Sequence, residues 1–133
     1  MNALAYQATE TVNHEVTDVD VKHIQELMLQ LGFPQHVYGY NYIAYALVLI
    51  MHDPEVLHHI TKELYPDIAK HFRSTPSRVE RAIRTSIHIT WLYGNINMIE
   101  KVFGYSIIPD KGFPTNTQLL AGLYFYLTDR KII

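Results

Sequence analysis

Cysteine is absent from this 133-residue chain. That excludes a disulfide framework, a zinc site built on thiolates and a thiol nucleophile, and it fits a reducing compartment. Lysine and arginine are absent from residues 1–18. The N-terminus therefore has no basic flank for an apolar leader, and the chain shows no cleavable apolar stretch. Long hydrophobic runs are missing too. The longest, Ile43–Met51, is too short to span a bilayer. There is no glycine-rich phosphate loop, no internal repeat and no low-complexity segment. The expectation is a cytoplasmic protein without membrane attachment.

Catalytic and metal patterns are equally thin. Eight histidines are present, and His58, His59 and Glu63 fall close together with His52 nearby. The His59–Glu63 pair has the spacing of one edge of a zinc site. No third ligand follows at a useful spacing, and there is no His-Glu-x-x-His motif. No nucleophile–base arrangement is recognisable. The chain is expected to be no enzyme and to carry no metal or cofactor.

What is present is a concentration of positive charge. Five of the eleven Lys and Arg residues lie in one fifteen-residue window: Lys70, Arg73, Arg78, Arg81 and Arg84. Glu80 alone opposes them, so the window carries +4 while the whole chain carries −2. If the stretch is helical, Arg78, Arg81 and Arg84 are expected along one stripe. Arginine suits phosphate oxygens and guanine edges, so the window points to DNA.

The flanking residues give the window a shape. Ile60–Phe72 reads ITKELYPDIAKHF, Arg73-Ser74-Thr75 is a turn, and Pro76-Ser77 opens a second helix. Proline at a first helical position loses no hydrogen bond. Thr75 is the natural N-cap, with Ser77 and Glu80 offering an alternative capping-box spacing. Ala82, Ile83, Ile87 and Trp91 repeat near helical period, and Gly94 is the expected stop. Helix, short turn and a basic second helix make a helix-turn-helix, whose second helix enters the major groove.

The rest reads as helices around one core. Val19–Leu31 is amphipathic and stops at Gly32. Tyr38–His52 is apolar almost all round and ends at Asp53-Pro54. Glu55–Leu64 is expected to run as one helix towards Pro66, with His58 and His59 on its surface. Asn95–Val102 is a short helix, Tyr105–Phe113 a loop, and Thr115 or Asn116 caps a last helix reaching about Thr128. The expected fold is all-α: a compact bundle of about six helices containing the helix-turn-helix, in one domain over 19–133 behind a tail over 1–18.

ITKELYPDIAKHF, STPSRVERAIR, the Trp91 to Gly94-Asn95-Ile96 step, Phe103-Gly104-Tyr105 and Pro114-Thr115-Asn116 together resemble the C-terminal effector-domain family of stage 0 sporulation protein A. The resemblance covers roughly Val19 to Leu127. It implies a sequence-specific, DNA-binding transcription regulator of sporulation that binds duplex DNA as a tandem or dimeric pair. Carried over by position, it places Ser77, Arg78, Glu80 and Arg81 in the major groove. Arg78 and Arg81 would fork onto guanine, and Glu80 would accept from a cytosine amino group. Arg84, Lys70, Arg73, Ser74 and Thr75 are placed for phosphates. Thr85 stands where the family has histidine. The family regulator carries a phosphorylatable receiver before this domain. Nothing of that size precedes Val19, so action without phosphorylation is expected.

An alternative expectation keeps DNA secondary. The chain would then pair with the full-length regulator or with the RNA polymerase sigma factor, as an interaction module or antagonist. In the family the stretch matching Gly94–Ile107 lies near sigma, and here Met98, Glu100 and Lys101 change its chemistry. Self-association is also expected. In the last helix Leu119, Leu120, Leu123, Tyr126 and Leu127 would face the core, leaving Tyr124 and Phe125 outward at a homodimer interface.

Overall fold

The computed structural model describes residues 16–104 and 112–132. Six α-helices follow one another: α1 Asp18–Leu31, α2 Tyr38–His52, α3 Tyr65–Phe72, α4 Pro76–Tyr93, α5 Ile96–Phe103 and α6 Asn116–Asp129. No strand occurs among the described residues. The all-α bundle expected from the hydrophobic periodicity is the observed fold. Among the described residues no helix is long and apolar enough to cross a membrane.

Each helix end has a local cause. Thr17 and Asp20 form a reciprocal capping box at the start of α1, the threonine oxygen accepting from the Asp20 amide at 3.2 Å and the carboxylate from the Thr17 amide at 3.1 Å. Val16, just ahead, is buried in the core. Packing therefore reaches back beyond the expected helix start at Val19. Gly32 closes α1 in a left-handed conformation, with φ 95°. The Phe33 amide then returns to the Met28 carbonyl at 3.0 Å, and Phe33 is buried, as a Schellman ending requires.

α2 is the central helix. Tyr40, Tyr42, Ile43 and every residue from Ala46 to Met51 are buried. It touches α1, α3, α4 and α6, so its all-round apolarity is used inside the molecule.

The helix expected over Glu55–Leu64 is not continuous. Asp53 caps a short 3-10 turn, Pro54–His58, by accepting from the Glu55 amide at 3.2 Å. His59 breaks the run at φ −135°, ψ 43°. Ile60–Leu64 is then wound as a π-turn that leads directly into α3, with the Leu64 amide reaching the His59 carbonyl at 3.2 Å. Pro66 sits in the first turn of α3, where its missing N–H costs nothing.

Two glycines lock α1 to α4. A side chain on Gly94 would meet the Thr90 carbonyl at 2.5 Å and the Leu31 carbonyl at 2.6 Å. One on Gly32 would meet the Gly94 Cα at 2.8 Å. The Asn95 amide donates to the Leu31 carbonyl at 3.0 Å across the same junction. Gly94 is extended (φ −82°, ψ −164°), so it ends α4 through close approach of two backbones rather than through a left-handed cap.

Asn95 caps α5, and Thr115 with Gln118 forms the capping box of α6. Leu119, Leu120, Leu123 and Leu127 fill the core from α6, as expected. Tyr126 is half-buried, packed against the core as expected, and the Arg130 guanidinium lies over its ring at 4.8 Å. Of the expected loop 105–113, residues 105–111 lie outside the described residues.

Candidate nucleic-acid interface

The basic window is built on α3, a three-residue turn and α4. α3 ends because Arg73 turns left-handed, at φ 57°, ψ 47°. The Arg73 and Ser74 amides both return to the Ala69 carbonyl, Ser74 at 2.8 Å. Thr75 starts α4, its hydroxyl accepting from the Arg78 amide at 3.2 Å. Ser77 already lies inside the first turn, so the alternative Ser77–Glu80 box does not form.

α4 is anchored by Val79, Ile83, Ser86, Ile87 and Thr90, all buried. Thr90 Oγ1 donates back to the Ser86 carbonyl at 2.8 Å, which satisfies one buried hydroxyl inside the helix. Arg81 is two residues from both Val79 and Ile83, about 200° around the helix from each. It therefore stands opposite the buried stripe. Ser77, Arg78, Arg84 and Thr85 are exposed with it, and so are Lys70, Arg73 and Thr75 on the α3 side; Ser74 is half-buried.

One expectation needs correction. Each three-residue step falls about 60° short of a full turn. Arg78, Arg81 and Arg84 therefore fan out instead of forming one stripe, with Arg78 and Arg84 on opposite flanks of Arg81. Arg84 pairs with Glu80 at 3.4 Å, the two side chains being 51% and 37% exposed. Such an exposed i,i+4 pair is worth a few tenths of a kcal/mol at most. Lys70, Arg73, Arg78 and Arg81 meet no carboxylate among the described residues. All four are exposed to solvent.

Glu80 belongs to the flank that faces α6. Asn116, the first residue of α6, is buried, and its amide donates to the Glu80 carbonyl and to the Tyr65 hydroxyl, both at 3.0 Å. This fork joins the start of α6 to both helices of the helix-turn-helix. Burial pushes the Tyr65 phenol up, with Glu80 adding to the rise; the Asn116 bond and the Arg84 charge work the other way. Sequence reasoning saw Asn116 only as a possible cap and missed the fork.

The outer faces of α6 also differ from expectation. Phe125 is exposed, but Tyr124 is half-buried against the core and its phenol is pushed up by burial. The histidine group carries no cluster: no three His, Asp or Glu residues among those described are placed to hold a metal ion.

The family comparison decides what this geometry belongs to. The model for the sporulation initiation factor Spo0A C terminal matches residues 24–127. The chain belongs to this family. The match takes in α2 to α5 whole and most of α1 and α6, so it spans the bundle rather than the turn alone. The family is a DNA-binding domain of sporulation transcription regulation, and the helices α3 and α4 with the turn between them are consistent with a helix-turn-helix.

Proposed function

We propose that this chain reads a specific duplex sequence by laying α4 in the major groove and regulates transcription from that site in the cytoplasm. The observation that carries this is the pair Arg78 and Arg81, exposed and uncompensated on the face opposite the buried stripe of α4. Both can fork onto guanine O6 and N7. Lys70, Arg73, Ser74 and Thr75 border that face and take phosphates, and Ser77, Arg84 and Thr85 extend it along the helix. Glu80 is half-buried, and its ion pair with Arg84 gives it a second role: holding Arg84 on the α6 flank. The reading includes binding without a phosphoryl group. Fluorescence anisotropy on a duplex selected from a random pool is the test. Arg81→Ala should lose on the order of 1–3 kcal/mol and relax preference at one base position. Equal affinity for the selected and scrambled duplexes would sink the reading, and affinity that rises with acetyl phosphate would remove its unphosphorylated part.

Two copies on one duplex fit this function, since paired half-sites multiply weak single contacts. Phe125, 52% exposed on α6, is the side chain best placed to seat against a second copy, with Tyr124 beside it contributing its edge. A Phe125→Glu variant should be more monomeric by light scattering, and a wild type that stays monomeric on DNA would end this part of the reading.

A second reading has its own observation. Leu92 is 63% exposed, Tyr93 81% and Ile96 47%, all at the α4–α5 junction away from the reading residues. Such a patch suits a protein partner, RNA polymerase sigma factor or the full-length regulator, with the chain acting as module or antagonist. Tyr93→Glu that abolishes transcriptional effect while DNA affinity holds would favour it.

A further inference from the structure

Tyr38 is the first residue of α2 and is 78% exposed. It stacks on Tyr42, centroids 6.3 Å apart and planes 17° from parallel. Tyr42 meets Phe72 edge-on at 5.2 Å, and Tyr45 meets the same ring at 5.6 Å. Phe72 is the last residue of α3, immediately before Arg73. The aromatic column therefore ties the exposed phenol to the first helix of the helix-turn-helix.

The backbone beside Tyr38 is tied to the second helix. Gly39 abuts α4 so closely that a side chain there would run into Ser86 Oγ and the Ala82 carbonyl. On α4, Arg78 lies four residues before Ala82 and Thr85 three after it, so both stand next to Ala82 on the helix surface. Passing outward from the reading face across Arg78 and Thr85, the next element is the start of α2, and its most exposed side chain is Tyr38.

A duplex receiving α4 in its major groove brings a sugar–phosphate strand along each edge of that groove. A phenol on a stacked ring is a suitable partner for such a strand, because tyrosine hydroxyls donate to phosphate oxygens and the stack removes part of the side-chain freedom that binding would otherwise cost. We infer that Tyr38 is a DNA-backbone contact whose hydroxyl donates to a phosphate at the groove edge on the Ala82 side of α4. This rests on the DNA-reading role proposed above and extends its surface from α3 and α4 to α2. A phenol is not a cation, so the contact releases no counterion: it adds affinity without adding to the salt dependence.

The test is a salt titration of binding to a duplex selected from a random pool, with two substitutions. Tyr38→Phe keeps the stack on Tyr42 and removes only the hydroxyl. It should weaken binding about tenfold or more, as loss of a hydrogen bond to a charged acceptor does, with an unchanged slope of log K against log salt. Tyr38→Lys puts a cation at the same place and should steepen that slope by about 0.9. Wild-type affinity in Tyr38→Phe, or an unchanged slope in Tyr38→Lys, overturns the inference. Arg81→Ala is measured alongside: if it too binds as wild type, the DNA-reading role itself has failed, and the two failures are told apart.

Discussion

Arg73 holds the left-handed position that ends α3, at φ 57°, ψ 47°, where glycine or asparagine is the usual occupant. An L-residue there costs roughly 1–2 kcal/mol, because Cβ crowds the following carbonyl. Arg73→Gly removes that cost and adds roughly 0.5–1 kcal/mol of chain entropy to the unfolded state. The two backbone bonds into the Ala69 carbonyl are untouched, since both donors are main-chain amides. The net expectation is a fold that is unchanged or steadier by up to about 1.5 kcal/mol, or about 6 °C in melting temperature at this chain length. DNA binding should move the other way. A cation that neutralises one phosphate adds about 0.9 to the salt slope, which at 0.1 M salt is about eightfold in affinity. The assay is a pair of measurements on one sample: thermal unfolding by circular dichroism, and anisotropy titrations from low to moderate salt. Opposite changes mean that Arg73 is kept at the turn for its charge. A melting temperature that falls by several degrees would refute the strain argument. A salt slope equal to that of wild type would refute the phosphate contact.

Other expectations follow from single contacts. Asn116→Ala leaves the Glu80 carbonyl and Tyr65 hydroxyl without their shared donor and should cost about 1–3 kcal/mol in urea unfolding. Gly94→Ala forces a methyl group against the Thr90 and Leu31 carbonyls and should cost about 1–3 kcal/mol by the same assay. Alkaline pH should destabilise the fold. Burial raises the phenols of Tyr40, Tyr45 and Tyr65 above the usual 10.0, so the native state holds protons that the unfolded chain has released. Stability is then full below pH 10 and falls as pH rises through the folded values, as melting temperatures between pH 8 and 11 would record.

The parts legible in the sequence were those with a local cause. Thr75 followed by Pro76 marks a helix start because the oxygen, the free amide and the missing N–H all lie within four residues. The buried row of α4 follows from spacing alone. The arginine fan was legible as well, since helical pitch separates Arg78 from Arg84, but it needs the drift of three-residue steps to be carried through two of them. The discontinuity over residues 53–64 was not. A 3-10 turn and a π-turn in succession preserve roughly the apolar spacing of one α-helix, and Val56, Ile60 and Leu64 are buried in either case.

What stayed hidden is contact between distant segments, and there α4 acquires its supports. Nothing near Gly39 in the chain announces that it must lie against Ala82 and Ser86, nor does Asn116 announce a bond to a carbonyl 36 residues earlier. Yet these contacts grip α4 on its two sides, α2 on one and the start of α6 on the other. The Gly32–Gly94 junction holds its far end. A helix fixed on both flanks and at its C-terminal end leaves open the face on which Arg78 and Arg81 stand. Sequence preference needs that fixity: a guanidinium that forks onto one base must be held to within a fraction of an ångström by groups that never touch the DNA. Loosening any support, as in Asn116→Ala, should therefore erode discrimination between bases before it erodes total affinity. Phosphate contacts tolerate a shift that a bidentate base contact does not.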